Sequence, residues 1–143
     1  MGGRLYTDAI SESLGIEQAQ AEEVKLGTSS LEVDSALLSD TLDRTTDHVA
    51  GEIHRQLGFF WTAAELKTGI EKVYLSGGAC RSHGLIKELK ERTGIECEIV
   101  NPFKRVELAS SLDREYVDRI SIFLSPSVGI GLRKLGDKVN AKG

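Results

Sequence analysis

The sequence lacks any long apolar run: no segment approaches the ~18 consecutive apolar residues that cross a bilayer, and the first residues do not show the charged-then-apolar layout of a signal peptide. A cytoplasmic protein with no direct membrane insertion is expected. A basic excess is also lacking. Lys and Arg number 18 against 22 Asp and Glu, a formal charge of -4, and the cations are scattered, which sets nucleic-acid binding aside. Two cysteines, Cys80 and Cys97, are too few for a disulfide framework or a zinc quartet. Cys80 and His83 have a two-residue spacer known from metal sites, but without a second pair no metal is expected, and both thiols are read as small buried groups.

Familiar catalytic signatures are absent as well. There is no Gly-x-x-x-x-Gly-Lys phosphate loop, no His-Glu-x-x-His, no Cys-x-x-Cys and no Gly-x-Ser-x-Gly elbow. His48, His54 and His83 are far apart in sequence and read as solvated or capping groups, with no catalytic residue among them. What remains is a globular composition. Its 143 residues, 40% hydrophobic and 28% charged, suffice for one core or for a piece of a larger domain.

Local signals divide the chain. Thr7 and Asp8 are positioned to cap a two-turn helix carrying Ala9, Ile10 and Leu14 and stopped by Gly15. The strong helix formers of "EQAQAEEVKL" stop at Gly27, and "GTSSLEVD" reads as a loop. Asp34 can cap a long helix over about residues 35–61, in which Leu38, Leu42, Val49, Ile53, Leu57 and Phe60 keep helical spacing. The polar pair Thr45 and Thr46 interrupts that stripe and weakens a coiled-coil reading. After the turn "TAAELKTG", the run "IEKVYLSGG" predicts a strand, "SHGLIKELKERTG" a helix ended by Gly94, and "ECEIV" a second strand. Together these make one parallel βαβ unit, closed by Asn101, Pro102 and Phe103, in which ligands are expected beyond the carboxyl end of the strand, at Gly77 and Gly78. Taken alone, that glycine pair reads more readily as a plain strand-to-helix turn than as a site. The stretch "LDREYVDRISIFL" predicts a short helix with Tyr116, Ile120 and Phe123 inward. Ser125 and Pro126 then read as the cap and first turn of another, ended by Gly136. Gly129 and Gly131 within that last helix predict something packed closely against it.

Taken together, separated stretches weaken the plain-turn reading. "GGRLYTDAI", "AEEVK", "EIHRQLGFF", "VYLSGGACRSHGL" with "IVNPF", and "VGIGLR" occur in the order and spacing of the actin-like ATPase superfamily over about residues 2–135. "EIHRQLGFF" resembles in particular the type IV pilus assembly branch of that superfamily, relatives of the cell-division protein FtsA. The resemblance implies an α/β, partial actin-like (ribonuclease H-like) second lobe: a helical part over residues 2–66, a βαβ adenosine-motif part with the final helix over 67–136, and a tail over 137–143. It further implies that Glu22 and Lys25 face a nucleotide cleft one helical turn apart, and that Gly77, Gly78 and Ala79 form the adenosine wall, aided by a helix N-terminus just after them.

The superfamily grips phosphate and magnesium with two Asp-x-Gly loops, and this sequence has none. The chain is therefore expected to be a C-terminal part of a longer protein, holding half an ATP site and unable to hydrolyse ATP alone. ATP or ADP with Mg would belong to the full-length protein. The resemblance also implies a cytoplasmic scaffold for pilus assembly, held at the inner membrane through the N-terminal cytoplasmic tail of its partner PilN, with the isolated chain prone to self-association. A different actin-like protein, of cell division or a secretion platform, and an interaction module without nucleotide are the other readings left open by the residues.

Overall fold

The computed structural model describes residues 2–64 and 69–133. Three helices come first: α1 (Gly3–Leu14), α2 (Gln18–Leu26) and α3 (Ser35–Ala63). A βαβ unit follows, made of β1 (Lys72–Leu75), a 3-10 turn (Gly78–Arg81), α4 (Leu85–Thr93) and β2 (Glu96–Ile99), and the chain then enters α5 (Arg114–Gly131).

The predicted boundaries of α2 and α3 hold because local chemistry fixes them. Glu17 and Gln20 form a reciprocal capping box at the start of α2, and Gly27 closes it. Asp34 accepts from the amides of Ala36 and Leu37, opening a 29-residue helix about 40 Å long. The strands pair in parallel, Val73 opposite Cys97 and Leu75 opposite Ile99, as the alternation predicts.

One core joins these layers. Tyr6 of α1, Val49 and Ala50 of α3, Leu85 and Leu89 of α4, and Cys97 of β2 pack together, with Leu42, Ile53, Val73 and Leu75 around them. Thr46, which the sequence casts as an interruption of the α3 stripe, points into this core. Its hydroxyl donates to the His83 carbonyl at 2.7 Å and accepts from Tyr6 Oη at 3.2 Å, so a buried polar chain runs from α1 through α3 to the segment before α4. At the other end of α3 the predicted stripe fails, since Phe60 is exposed together with Phe59 and Trp61.

Several expectations are corrected. Helix α1 begins at Gly3, ahead of the predicted cap, so Thr7 lies inside it, buried and hydrogen-bonded to Glu22 instead of capping. Helix α4 starts at Leu85 and not near Ser82, because Gly84 sits at φ +67° in the left-handed region and interrupts the helical path. Ser125 and Pro126 open no new helix: α5 runs through Pro126 to Gly131, and Asp113 caps its start by accepting from the amides of Glu115 and Tyr116. Its inward residues are Val117, Ser121 and Ile122, while Tyr116 and Phe123 are exposed. The Arg119 guanidinium lies 5.5 Å from the Tyr116 ring centroid, holding that ring at the surface. Among the described residues nothing packs close to Gly129 or Gly131, where an added Cβ would find no atom within 4 Å. Gly136 and the tail lie outside the described residues, as do residues 65–68 of the turn before β1.

Candidate functional site

A cleft of about 1110 Å³ opens between the α1–α2 pair, the carboxyl end of β1 and the middle of α5. All five residues singled out in the sequence line it: Glu22 and Lys25 from one side, Gly77, Gly78 and Ala79 from the other. The i,i+3 spacing on α2 does what helical geometry requires, bringing Glu22 and Lys25 to the same face.

On the α2 side the polar groups are mutually held. Lys25 Nζ donates to Glu22 Oε2 at 2.5 Å, to Thr7 Oγ1 at 2.8 Å and to the Gly3 carbonyl at 3.2 Å, so each of its three protons has an acceptor. Thr7 Oγ1 donates to the same Glu22 oxygen at 2.6 Å. These bonds leave Glu22 Oε1 free of protein partners among the described residues, on a side chain that is 46% exposed. Lys25 first, and Thr7 second, hold the Glu22 carboxyl below its ordinary value of 4.5. A depressed carboxylate stabilises the fold above its unfolded pKa and loses that contribution as pH falls through the folded value. The α1–α2 contact therefore weakens only on acidification below about 4.5. A carboxyl-carbon NMR titration checks this: Lys25→Met is expected to raise the Glu22 midpoint toward 4.5, and identical midpoints in both proteins would contradict the assignment.

On the opposite side, the two glycines differ in what they meet. Gly77 has φ +91° and ψ 165°, a conformation essentially confined to glycine, while a Cβ there would meet nothing. At Gly78 an added Cβ would lie 2.9 Å from Cε1 of Phe123, so α5 itself presses on the loop. Ala79 and Cys80 follow in the 3-10 turn, where the buried Cys80 thiol donates to the Gly77 carbonyl at 2.7 Å and burial pushes it above its ordinary range. This single turn, and not the N-terminus of α4, comes directly after the glycines, which corrects the expectation of a helix start beside them.

The sequence alone does not disclose the third wall. Arg119, Ile120, Ile122 and Phe123 of α5 line the cleft, and the Ile122 carbonyl accepts from the Gly77 amide at 2.9 Å and from Ser76 Oγ at 3.2 Å. The available signal is Pro126, four residues after Ile122, which has no N–H to occupy that carbonyl. Arg4 and Arg81 also face the space. Its lining thus carries four cationic side chains against the single carboxylate of Glu22 among the described residues, in a chain of net charge -4. Such a cleft suits an anionic ligand with hydroxyl or amino groups for Glu22 to bind.

Comparison with known proteins gives consistent findings. A family model described as type IV pilus assembly protein PilM matches residues 1–135. A solved structure described as the PilM-PilN type IV pilus biogenesis complex contains a chain that superposes with a TM-score of 0.73 at 26% sequence identity. The match covers 92% of this chain and 36% of that one, so the present chain spans little more than a third of the solved chain's length. No curated protein matches the sequence.

Proposed function

Because the chain belongs to the PilM family of type IV pilus assembly proteins, we propose that it supplies the adenosine side of an actin-like nucleotide site in a cytoplasmic scaffold for pilus assembly. The observation that carries this reading is the convergence of Glu22, Lys25, Gly77, Gly78 and Ala79 on one cleft from segments about fifty residues apart. The cleft volume of about 1110 Å³ is ample for a nucleotide. Glu22 Oε1 would accept from ribose hydroxyls or an exocyclic amine, Lys25 would hold the carboxylate ionised, and the glycine loop would let main chain approach the ligand. Arg81 and Arg119 supply positive charge for phosphate.

The same residues do not fit magnesium. Among the described residues Glu22 is the one carboxylate lining the cleft, and one of its oxygens is already engaged with Lys25 and Thr7. In this reading ATP and ADP are ligands of the full-length protein, magnesium is held by groups other than the described residues, and the chain alone is expected to give no turnover. Helices α1, α2 and α3 then form the helical part of the second lobe, and the βαβ unit with α5 its other part. The full-length protein docks the short cytoplasmic tail of an inner-membrane PilN and couples nucleotide state to assembly, which keeps it at the inner membrane through its partner. The similarity to a chain solved in a PilM-PilN complex supports that pairing.

Equilibrium dialysis of the intact protein against ATP and Mg tests the site. Glu22→Gln removes the charge-assisted acceptor, a loss of about 1.5–3 kcal/mol or roughly ten- to a hundred-fold in affinity. An intact protein that binds no ATP, or a Glu22→Gln variant of unchanged affinity, would overturn the assignment. A separate expectation concerns the chain by itself. With Ile130 70% and Leu132 62% exposed on the outer end of α5, it self-associates. Light scattering of the isolated chain is expected to give a dimer or larger species, and a monomer at high concentration would contradict this.

A further inference from the structure

In an unbroken helix the amide of residue 126 would bond to the carbonyl of residue 122. Proline at 126 has no N–H, and its ring pushes the i-4 carbonyl out of the helical line. The Ile122 carbonyl is accordingly turned to another use. Its two lone pairs take the Gly77 amide at 2.9 Å and Ser76 Oγ at 3.2 Å, the two residues that lead β1 into the glycine turn. The next residue, Phe123, lies against Gly78 closely enough that any Cβ there would be 2.9 Å from its ring. One short stretch of α5 thus grips both glycines.

We propose that Pro126 is a positioning residue for the glycine loop: by withholding a helical N–H, it keeps the Ile122 carbonyl free to hold Ser76 and Gly77. This also explains why α5 tolerates a proline in its interior, since the bond the helix lacks is replaced by bonds to the loop. Gly77, at φ +91°, takes one of the many conformations open to glycine, and the bond from its amide to the Ile122 carbonyl selects it. The step from loop position to ligand affinity rests on the nucleotide reading above, whereas the hold on the loop does not.

Two substitutions separate the N–H from helix stability. Pro126→Ala and Pro126→Gly both restore an amide facing Ile122, but alanine favours the helix strongly and glycine far less. In the intact protein without nucleotide, amide exchange at Gly77 is expected to speed up at least tenfold in both variants. The melting temperature is expected to be unchanged or raised in Pro126→Ala, and core amides such as Leu89 stay protected. ATP affinity is expected to fall about tenfold in both. Unchanged Gly77 exchange in Pro126→Ala would overturn the proposal, as would acceleration in Pro126→Gly alone, which would reduce Pro126 to a helix-stability effect. Release of Gly77 in both variants with ATP affinity unaltered would uphold the role of Pro126 and overturn the assignment of the loop to nucleotide.

Discussion

Alanine at position 77 is expected to weaken ATP binding by the intact protein about ten- to a hundred-fold while leaving its core folded. Gly77 sits at φ +91° and ψ 165°, where a side chain costs of order 1–3 kcal/mol. No atom lies within 4 Å of the added Cβ, so the effect is one of backbone and not of collision. The alanine variant escapes the strain by moving the loop, which breaks the Gly77 amide bond to the Ile122 carbonyl and leaves the thiol of Cys80 without its acceptor. Restoring the loop for ligand then draws on binding energy, and each 1.4 kcal/mol is tenfold in affinity. Calorimetric titration with ATP measures it. An affinity within twofold of the unsubstituted protein would contradict a role for this loop at the nucleotide.

The largest loss of stability is expected from Leu89→Ala. Leu89 is fully buried at the centre of the core that joins α1, α3, α4 and β2. Truncation there costs about 2–5 kcal/mol, transfer and cavity combined, out of a total that for a typical domain is ~5–15 kcal/mol. A fall in melting temperature on the order of 10 °C follows for a chain of this size. Ile130→Ala, at a position 70% exposed, is expected to shift it by no more than about a degree or two. Thermal unfolding followed by circular dichroism compares the two, and equal shifts would contradict the core described here. Because α4 also braces the strand that ends at the glycine loop, Leu89→Ala is expected to weaken ATP binding secondarily, through the folded fraction.

How much of the fold is legible in the sequence depends on the range of the forces involved. The Asp34 cap, the Gly27 stop and the alternation of Cys97 and Ile99 act within a few residues, and they place α2, α3 and the parallel strands. Thr7 misleads a local reading because its partner, Glu22, lies fifteen residues away, and a threonine ahead of an apolar run has the pattern of a cap whether or not it serves as one. Pro126 misleads for the same reason. A proline can stand inside a helix when its i-4 carbonyl finds another donor, and that donor, Gly77, sits on a different element. The candidate site divides likewise. The glycine run is a local pattern and Glu22 with Lys25 are legible only through the family resemblance, whereas Arg119, Ile122 and Phe123 enter the cleft only through the docking of α5. The exposed Tyr116 and Phe123 show the limit of apolar periodicity, which gives the faces of a helix but not which of them is covered.

The central claim is that the cleft bounded by Glu22, Lys25 and the glycine loop binds adenosine, and amide hydrogen exchange of the intact protein with and without saturating ATP and Mg tests it most directly. The expected result is strong protection at residues 77–81 with a smaller effect around Glu22 on α2. Exchange at residues 77–81 identical with and without ATP would contradict it.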